Sequence, residues 1–270
     1  MKLAAATIAL VVALGPSPKA TLRSEQKING GYNQGIARID SGWIVSGTFV
    51  LVRMNDELRV TKSLSQPIPV ALRVKGYNHV GDIDVVDKYI YAPLEQPDFE
   101  KGEQITACYD AKTLKFVDSV TLAQHENSFV TVDPKTMTAY SMDHFGGDAL
   151  LRYDVRNGWA PLPPLAMSQF VDKVQGADVA RGAVWLSTCS RPGSSTTSSE
   201  CDPAPTNELF RVDLATGAVV DLGSAGHVGG EGEGIDATRL RSGALHTLTV
   251  DAKLTRVWLG HFGISTGRRR

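Results

Sequence analysis

The side chains best suited to chemistry recur at one point of a repeated pattern, just before or at the start of a short apolar segment. Histidine titrates near neutral pH, and crowded carboxyl groups have pKa values that are pushed apart, which proton transfer requires. Carboxylate and amide oxygens are also ligands for hard cations. The alternative is that these groups satisfy strand-end backbone atoms and hold channel water. The set is Asn33 and Gln34, His79 and Asp82, Glu126 and Asn127, Gln175 and Asp178, and Glu231 and Glu233.

A proton-transfer site would combine histidine with carboxyl groups from several of these segments. We predict His79, His144 and Glu95 as catalytic residues, because Glu95 and His144 each come just after a second apolar segment. The alternative for His144 is a loop histidine that caps backbone atoms. The ligand-binding residues predicted around them are Gln34, Gln175, Asp178, Glu231 and Asp143.

The same oxygen-rich set could instead hold an axial metal ion. Glu233, Asn127 and Asp82 are the predicted ligands, with Gln34 or Gln175 helping. Calcium accepts about six to eight oxygen ligands in irregular geometry, so it is the metal that this set favours. A channel that holds only water is the competing interpretation.

The run of glycine and glutamate at residues 229–234 has a separate meaning. Two glutamates would repel phosphate, and no helix follows the run, so it is not a phosphate-binding loop. Glycine permits sharp backbone turns, which would aim Glu231 and Glu233 at the axis. The sequence also lacks a Gly-x-Ser-x-Gly elbow and a zinc-spaced Cys and His set, which argues against a serine hydrolase and a structural zinc site.

The elements that would position these residues repeat along the chain. In each repeat an apolar strand ends in Asp or Asn, a short polar turn follows, and a β-rich strand begins. The copies lie about 45–60 residues apart, the length of a four-stranded propeller blade with loop insertions. The phrase occurs at residues 105–117, 150–158 and 209–220, with a degenerate copy at 49–60.

Two further strand-like segments precede each phrase, and their apolar runs are broken by Asp, Gly, Ser or Pro, which indicates hairpins. We therefore predict an all-β fold, a β-propeller of four-stranded antiparallel blades. Five blades are expected; six are the alternative if residues 245–250 and 256–259 open another blade. The last blade lacks a fourth strand, so Leu22–Ile28 is predicted to complete it and remove an exposed edge.

The composition is compatible with one domain of this class. The chain has 270 residues, of which 42% are hydrophobic and 21% are charged. All-β folds of this length are commonly a single domain, predicted here over residues 21–263, with a disordered basic tail over 264–270. The net charge of −1 argues against a nucleic-acid partner, because phosphate binding needs a basic surface.

The N-terminus is typical of a secretory signal. A short positive start, Met1-Lys2, precedes an apolar run, Leu3–Leu14, that is too short to span a bilayer as a helix. Cleavage is predicted after Gly15 or Ala20, so residues 1–20 form the predicted signal peptide and the protein is expected to be secreted or extracytoplasmic. The alternative is a buried first strand or helix. No later stretch is long enough for a membrane span.

An exported protein permits disulfides. Cys189 and Cys201 flank a polar insertion, and a bond between them would reduce the entropy of the open loop. Cys108 lies inside an apolar strand phrase and is predicted to be a buried small hydrophobe.

The phrases Tyr109-Asp110-x-x-Thr113 and Val212-Asp213-x-x-Thr216-Gly217 resemble those of YVTN-type and related secreted propellers. The pattern covers about residues 30–263 and is specific for fold rather than activity. The axial oxygen set is similar, more weakly, to that of calcium-dependent lactonase and phosphotriesterase propellers. In that family, axial Glu, Asn and Asp hold a catalytic calcium, and Glu233 and Asn127 are the matching positions.

Two functions are open at this point. The first is a secreted propeller that binds a small molecule or a protein surface at the axial mouth, motivated by a repeat without a recognisable catalytic set. The second is a calcium-dependent hydrolase that resembles a lactonase or esterase, motivated by the oxygen-rich ring. In either case we expect a monomer.

Overall fold

The computed structural model describes residues 18–96, 103–189, 208–226, 230–251 and 255–265. In these residues the chain forms five antiparallel blades arranged as a β-propeller, which confirms the predicted fold. The same residues include no helix that is long and apolar enough to cross a membrane.

Each blade is built from consecutive strands that run outward from the axis. Blade 1 comprises β2 (Gly35–Ile39), β3 (Gly42–Gly47), β4 (Val50–Met54) and β5 (Val60–Ser65). A short helix, α1 (Val70–Arg73), leads to blade 2. Blade 2 comprises a first strand in two pieces, β6 (His79–Val80) and β7 (Asp84–Val86), then β8 (Tyr89–Glu95), β9 (Glu103–Asp110) and β10 (Phe116–Ala123).

Blades 3 and 4 follow the same order, and blade 5 differs in that its outermost strand comes from the N-terminus. Blade 3 comprises β11 (Thr131–Asp133), β12 (Thr138–Ser141), β13 (Gly147–Asp154) and β14 (Ala160–Val171). Blade 4 comprises β15 (Val174–Ala180), β16 (Ala183–Thr188), β17 (Glu208–Asp213) and β18 (Val219–Ser224). Blade 5 comprises β19 (Gly230–Asp236), β20 (Ala244–Asp251), β21 (Val257–Ser265) and the N-terminal β1 (Lys19–Ile28).

The N-terminal strand closes the ring, as the sequence predicts. β1 pairs antiparallel with β21 from Lys19 opposite Ser265 to Ile28 opposite Val257. β20 and β21 pair with each other inside this same blade, so the six-blade alternative is wrong. The first strand residue, Lys19, lies within the predicted signal segment, whose residues 1–17 are outside the described part of the chain.

The repeated aspartates are turn residues. Asp110 Oδ1 accepts hydrogen bonds from the Thr113 N–H and the Thr113 hydroxyl, both at 2.7 Å. Asp213 Oδ1 makes the equivalent pair with Thr216 at 3.1 and 3.0 Å. These bonds fix the hairpin turn between the third and fourth strands, because Asp side chains mimic a backbone turn. The repeated segment from which the fold is predicted therefore has a structural role: its aspartates stabilise turns.

A belt of four hydrogen bonds joins the first strands of neighbouring blades around the axis, at every junction except that between blades 1 and 2. At one equivalent position, a side-chain oxygen accepts from a backbone N–H of the following blade, at 2.5–2.8 Å. Blade 1 has Ala37 at this position, so it offers no side-chain oxygen to blade 2. The other carboxylate oxygen of Asp84 accepts the N–H of the adjacent Val85 at 2.6 Å. The belt bonds run from Val132 to Asp84, from Val179 to Thr131, from Ala237 to Asp178, and from Arg38 to Asp236.

Apolar residues fill the space between neighbouring blades. Ile44 and Leu51 of blade 1 belong to one buried cluster with Ile83 and Ile90 of blade 2. Burial at this scale is the main favourable term in folding, so the blades hold the axial residues on a rigid frame.

Candidate functional site

The first strands begin around an axial cavity of about 250 Å³. Each blade contributes one lining residue at the position three residues before the belt, and we call these five residues the inner ring. Further lining residues stand above the ring; among them are His79, Glu95, His144 and Glu231. The inner ring is Gln34, Gly81, Ser128, Gln175 and Glu233.

Directly behind the inner ring, Asp82 plugs the axis. Its side chain is 1% exposed, and its two carboxylate oxygens accept backbone N–H groups from four blades. Its own N–H donates to Ser128 O of the remaining blade at 2.9 Å. The carboxylate partners are Ile36 at 3.2 Å, Ile83 at 3.0 Å, Ala177 at 2.9 Å and Ile235 at 3.5 Å. This residue therefore ties all five blades together beneath the cavity.

Glycines make room for the plug. A Cβ added to Gly176 or Gly234 would lie 2.7 Å from an Asp82 carboxylate oxygen, and one added to Gly35 would lie 2.7 Å from the Asp82 Cα. Real Cβ atoms do not approach this closely, so these three positions need glycine for close backbone approach.

His79 stands in the wall of the cavity, bound to the inner ring. Its Nε2 lies 2.7 Å from Gln34 Oε1, so this nitrogen carries the hydrogen and donates it to the amide oxygen. Burial lowers the pKa of His79 to about 4, and the nearby negative charge of Glu231 opposes that shift. The imidazole is therefore neutral at physiological pH.

Two glutamates of the cavity hold their protons unusually tightly. Burial raises the pKa of Glu95 to about 7. The pKa of Glu233 lies well above its ordinary value, first because of burial and then because Glu231 repels it and hydrogen-bonds to it. Like charges in a low-dielectric cavity cannot all ionise, so this group of carboxyls retains protons near neutral pH.

A pair of loops sets the position of His144. Asp143 Oδ1 accepts the His125 and Glu126 N–H groups, both at 3.2 Å, and Glu126 Oε2 accepts the Phe145 N–H at 2.9 Å. These reciprocal bonds clasp the loop before β11 to the loop after β12. His144 lies between the clasping residues and is 8% exposed in the cavity wall.

Comparisons with known proteins place this geometry on a familiar fold. No protein-family model and no curated protein matches the sequence significantly. The structure is similar to that of Myxococcus xanthus glutaminyl cyclase, with a TM-score of 0.62, 12% identity, and coverage of 92% of this chain and 98% of that chain. It is also similar to Kuenenia stuttgartiensis hydrazine synthase (TM-score 0.47, 11% identity, 84% and 59% coverage) and to the Dos1 propeller (TM-score 0.46, 13% identity, 84% and 67% coverage).

The likeness to glutaminyl cyclase shows the propeller fold. At this level of identity it carries the fold alone, and function must come from the site. The resemblances to YVTN-type and lactonase-like propellers stay predictions, since no family model matches.

The cavity brings together most of the residues that the sequence singles out. Seven predicted site residues line it, from all of the blades. Asp143 lies in the loop clasp, and Asp178 lies in the belt, where its carboxylate accepts the Ala237 N–H at 2.5 Å. The seven are Gln34, His79, Glu95, His144, Gln175, Glu231 and Glu233.

The three predicted calcium ligands do not share one site. Glu233 is in the inner ring, Asp82 is committed to backbone N–H groups, and Asn127 Oδ1 accepts the Ser141 hydroxyl at 3.2 Å. Among the described residues, no group of three or more His, Cys, Asp or Glu side chains has an arrangement that could hold a metal ion. The residues present do not fit calcium as predicted, and we derive no step through it.

Sequence reasoning missed Thr48, Gly81 and Ser128, which also line the cavity. Counting back three positions from the belt would have found Gly81 and Ser128, because equivalent strand positions face the same way. Cys108 is half-buried rather than fully buried, and it is a free thiol packed beside the cluster around Tyr91. Cys189 is buried, but Cys201 lies outside the described residues, so their disulfide stays a prediction.

Proposed function

We propose that the protein binds a small ligand with an ammonium group in the axial cavity. The observation that carries the proposal is the acidic composition of the lining: the carboxyl groups of Glu95, Glu231 and Glu233 face the cavity, and no described lining residue is lysine or arginine. A cation lowers the pKa of a buried carboxyl group, so its arrival would ionise groups that otherwise hold protons. A cationic amine is the ligand whose charge this cavity complements.

The uncharged lining residues add hydrogen-bonding capacity. Amides of Gln34 and Gln175 and hydroxyls of Thr48 and Ser128 supply donors and acceptors around the glutamates. The volume of about 250 Å³ is below that of pockets for drug-sized molecules. The ligand is therefore small, of the size of an amino-acid amide.

Calorimetric titration with glycinamide, prolinamide and propionate tests this proposal. We expect the amines to bind and propionate not to bind, with the amine heat changing between buffers of different ionisation enthalpy, because carboxyl protons are released. Glu233→Gln should weaken amine binding about tenfold or more, since it removes a charge-assisted contact. The matched control is Asp221→Asn, an exposed residue of β18. Equal binding of propionate, or an unchanged Glu233→Gln protein, would exclude the proposal.

A second candidate is proton-transfer catalysis on a small ester, lactone or amide. His79 and Glu95 are directly paired across β6 and β8, which places their Cβ atoms about 4.5–5.5 Å apart. Neutral His79 would take the proton of the attacking nucleophile, and Glu95, with a pKa of about 7, would deliver one to the leaving group. This pairing of a base and an acid in one wall is the observation that favours it.

A substrate panel tests the second candidate. It contains lactones, small esters and, because a similar structure is a glutaminyl cyclase, peptides with N-terminal glutamine. We expect turnover to fall about 100-fold or more in Glu95→Gln and in His79→Gln. If no substrate of the panel is turned over, or if activity survives both substitutions, the catalytic candidate is excluded and amine binding is the function that is left.

A further inference from the structure

A second cavity lies between blades 1 and 2, where the first and third strands end and the turns that follow them begin. Its volume is about 500 Å³. It is lined by the turn after β2, by the turn between β7 and β8, and by the turn after β9. Because the axial cavity lies at the opposite ends of the first strands, the two cavities open on opposite faces of the propeller.

The lining of this cavity is basic. Arg38, Arg53, Lys88 and Lys112 face it, against the carboxylates of Asp40 and Asp87; this set of four cations we call the basic pocket. Among the described residues, no ion pair neutralises Arg53, Lys88 or Lys112. The protein as a whole carries a net charge of −1, so this concentration of positive charge is local.

The Arg38 side chain is fixed by its contacts, but one of its N–H donors has no partner among the described residues. Its side chain is 10% exposed, its Cζ lies 4.5 Å from the centroid of the Trp43 ring, and it forms an ion pair with Asp56. Its Nε is buried and has no hydrogen-bond partner in the described part of the chain. A buried donor without a partner costs free energy, and the contacts with Trp43 and Asp56 hold the Arg38 guanidinium in the lining of the cavity.

Two other cations are also positioned by contacts. Arg53 Nη2 donates to Ser41 Oγ at 2.9 Å, which fixes the guanidinium over the turn. Lys88 Nζ lies 5.1 Å from the Tyr89 ring centroid, and its carbonyl accepts the Ala111 N–H at 2.8 Å, which joins two of the lining turns. Guanidinium groups present several N–H donors in a planar fork that matches an oxyanion.

We propose that the basic pocket is a second binding site, and that its ligand is a small phosphate-bearing anion. Phosphate offers three or more acceptor oxygens in a tetrahedral arrangement, which suits donors that converge from different turns better than a planar carboxylate does. The volume leaves room for an organic group beside the phosphate. This site is independent of the axial cavity and of the function proposed there.

Calorimetry and phosphorus NMR with inorganic phosphate and glycerol 3-phosphate test this site at low ionic strength. We expect both anions to bind, more weakly as salt is added, and acetate to bind at least tenfold less well. Tighter binding of the ester identifies an organic phosphate as the ligand, while equal affinity identifies free phosphate. No binding of either phosphate at millimolar concentration would overturn the proposal.

Four variants assign the binding to the pocket. Arg53→Gln and Lys88→Gln should each weaken phosphate binding about tenfold, while Asp87→Asn should strengthen it, because it removes a repelling carboxylate. Lys135→Gln, an exposed cation in the blade 3 turn, is the matched control and should change nothing. An equal effect of Lys135→Gln and Arg53→Gln would mean general charge screening and would overturn the proposal. The axial variant Glu233→Gln should bind phosphate normally, which separates this test from the amine test.

Discussion

At the scale of single residues, the axial cavity holds two titrating groups whose pKa values move in opposite senses. Burial lowers the pKa of the base His79 to about 4 and raises the pKa of the acid Glu95 to about 7. Both shifts favour the neutral form of the side chain, because a low-dielectric cavity penalises charge. The consequence is a wall that carries an uncharged acid opposite an uncharged base near pH 6.

Stability should depend on pH through Glu95. Its pKa is raised in the fold, so its contribution is fully present below about 4.5 and is lost as pH rises through about 7. Relative to the parent, Glu95→Gln should therefore gain on the order of 3 kcal/mol of unfolding free energy between pH 4.5 and pH 8. Urea unfolding at both pH values measures this. The exposed Glu57→Gln is the control, and a pH-independent difference for Glu95→Gln would contradict the prediction.

His79 should make the stability of the fold depend on pH in the acidic range. Its pKa is lowered in the fold, so its contribution is fully present above about 6.5 and is lost as pH falls through about 4. We expect His79→Gln to flatten the fall in melting temperature between pH 6.5 and pH 4. His125→Gln, an exposed histidine in the neighbouring loop, serves as the comparison. If both variants lose stability in acid as steeply as the parent, His79 is not the group that titrates there.

At the scale of elements, the first strands are joined by side chains as much as by packing. The belt passes one hydrogen bond from blade to blade, and Asp82 gathers backbone N–H groups from four blades. The strand of blade 2 breaks at this point into β6 and β7, because Asp82 faces the axis and its N–H bonds to Ser128 O instead of β8. This break between β6 and β7 places Asp82 directly beneath the inner ring.

Removing the plug should be costly. Asp82→Ala leaves several buried N–H groups without acceptors, and each such group costs about 1–3 kcal/mol. We expect a loss of roughly 3–5 kcal/mol in urea unfolding, with Asp82→Asn intermediate because it keeps one acceptor oxygen. Asp118→Ala is the control, since this exposed carboxylate accepts just one hydrogen bond from the described part of the chain, from the N–H of Ser119. A loss for Asp82→Ala no larger than that of the control would show that the plug does not hold the blades.

At the scale of the whole molecule, the ring depends on one strand from the opposite end of the chain. β1 covers the edge of β21, and without it the ring would have an exposed edge at blade 5. A protein that starts at Asn29 should therefore melt at a much lower temperature and self-associate. A protein that starts at Pro18 keeps β1 and is the matched control for this comparison.

A synthetic peptide of residues 18–29 tests whether the missing strand itself accounts for the loss of stability. Supplied in trans to the protein that starts at Asn29, it should restore the melting temperature in proportion to its concentration, because it binds the folded form only. Thermal melting and size-exclusion chromatography follow both effects. A truncated protein that stays monomeric and melts normally would mean that blade 5 is stable with three strands.

The sequence by itself predicted four-stranded blades, turn aspartates and closure by a strand before Asn29, and it favoured five blades over six; the strand pairing of the structure decided for five. The sequence also located the candidate site at the starts of the first strands, because alternation and spacing are local properties that one chain displays directly. Only the tertiary structure decided which of those polar residues reach the cavity. Asp82, Asn127 and Asp178 read like Gln34 and Glu233 in the sequence, yet their side chains are turned to backbone and core partners. Whether a side chain reaches the cavity or a neighbouring backbone depends on the height of its residue along the propeller axis. That height is fixed only when the five blades close into a ring.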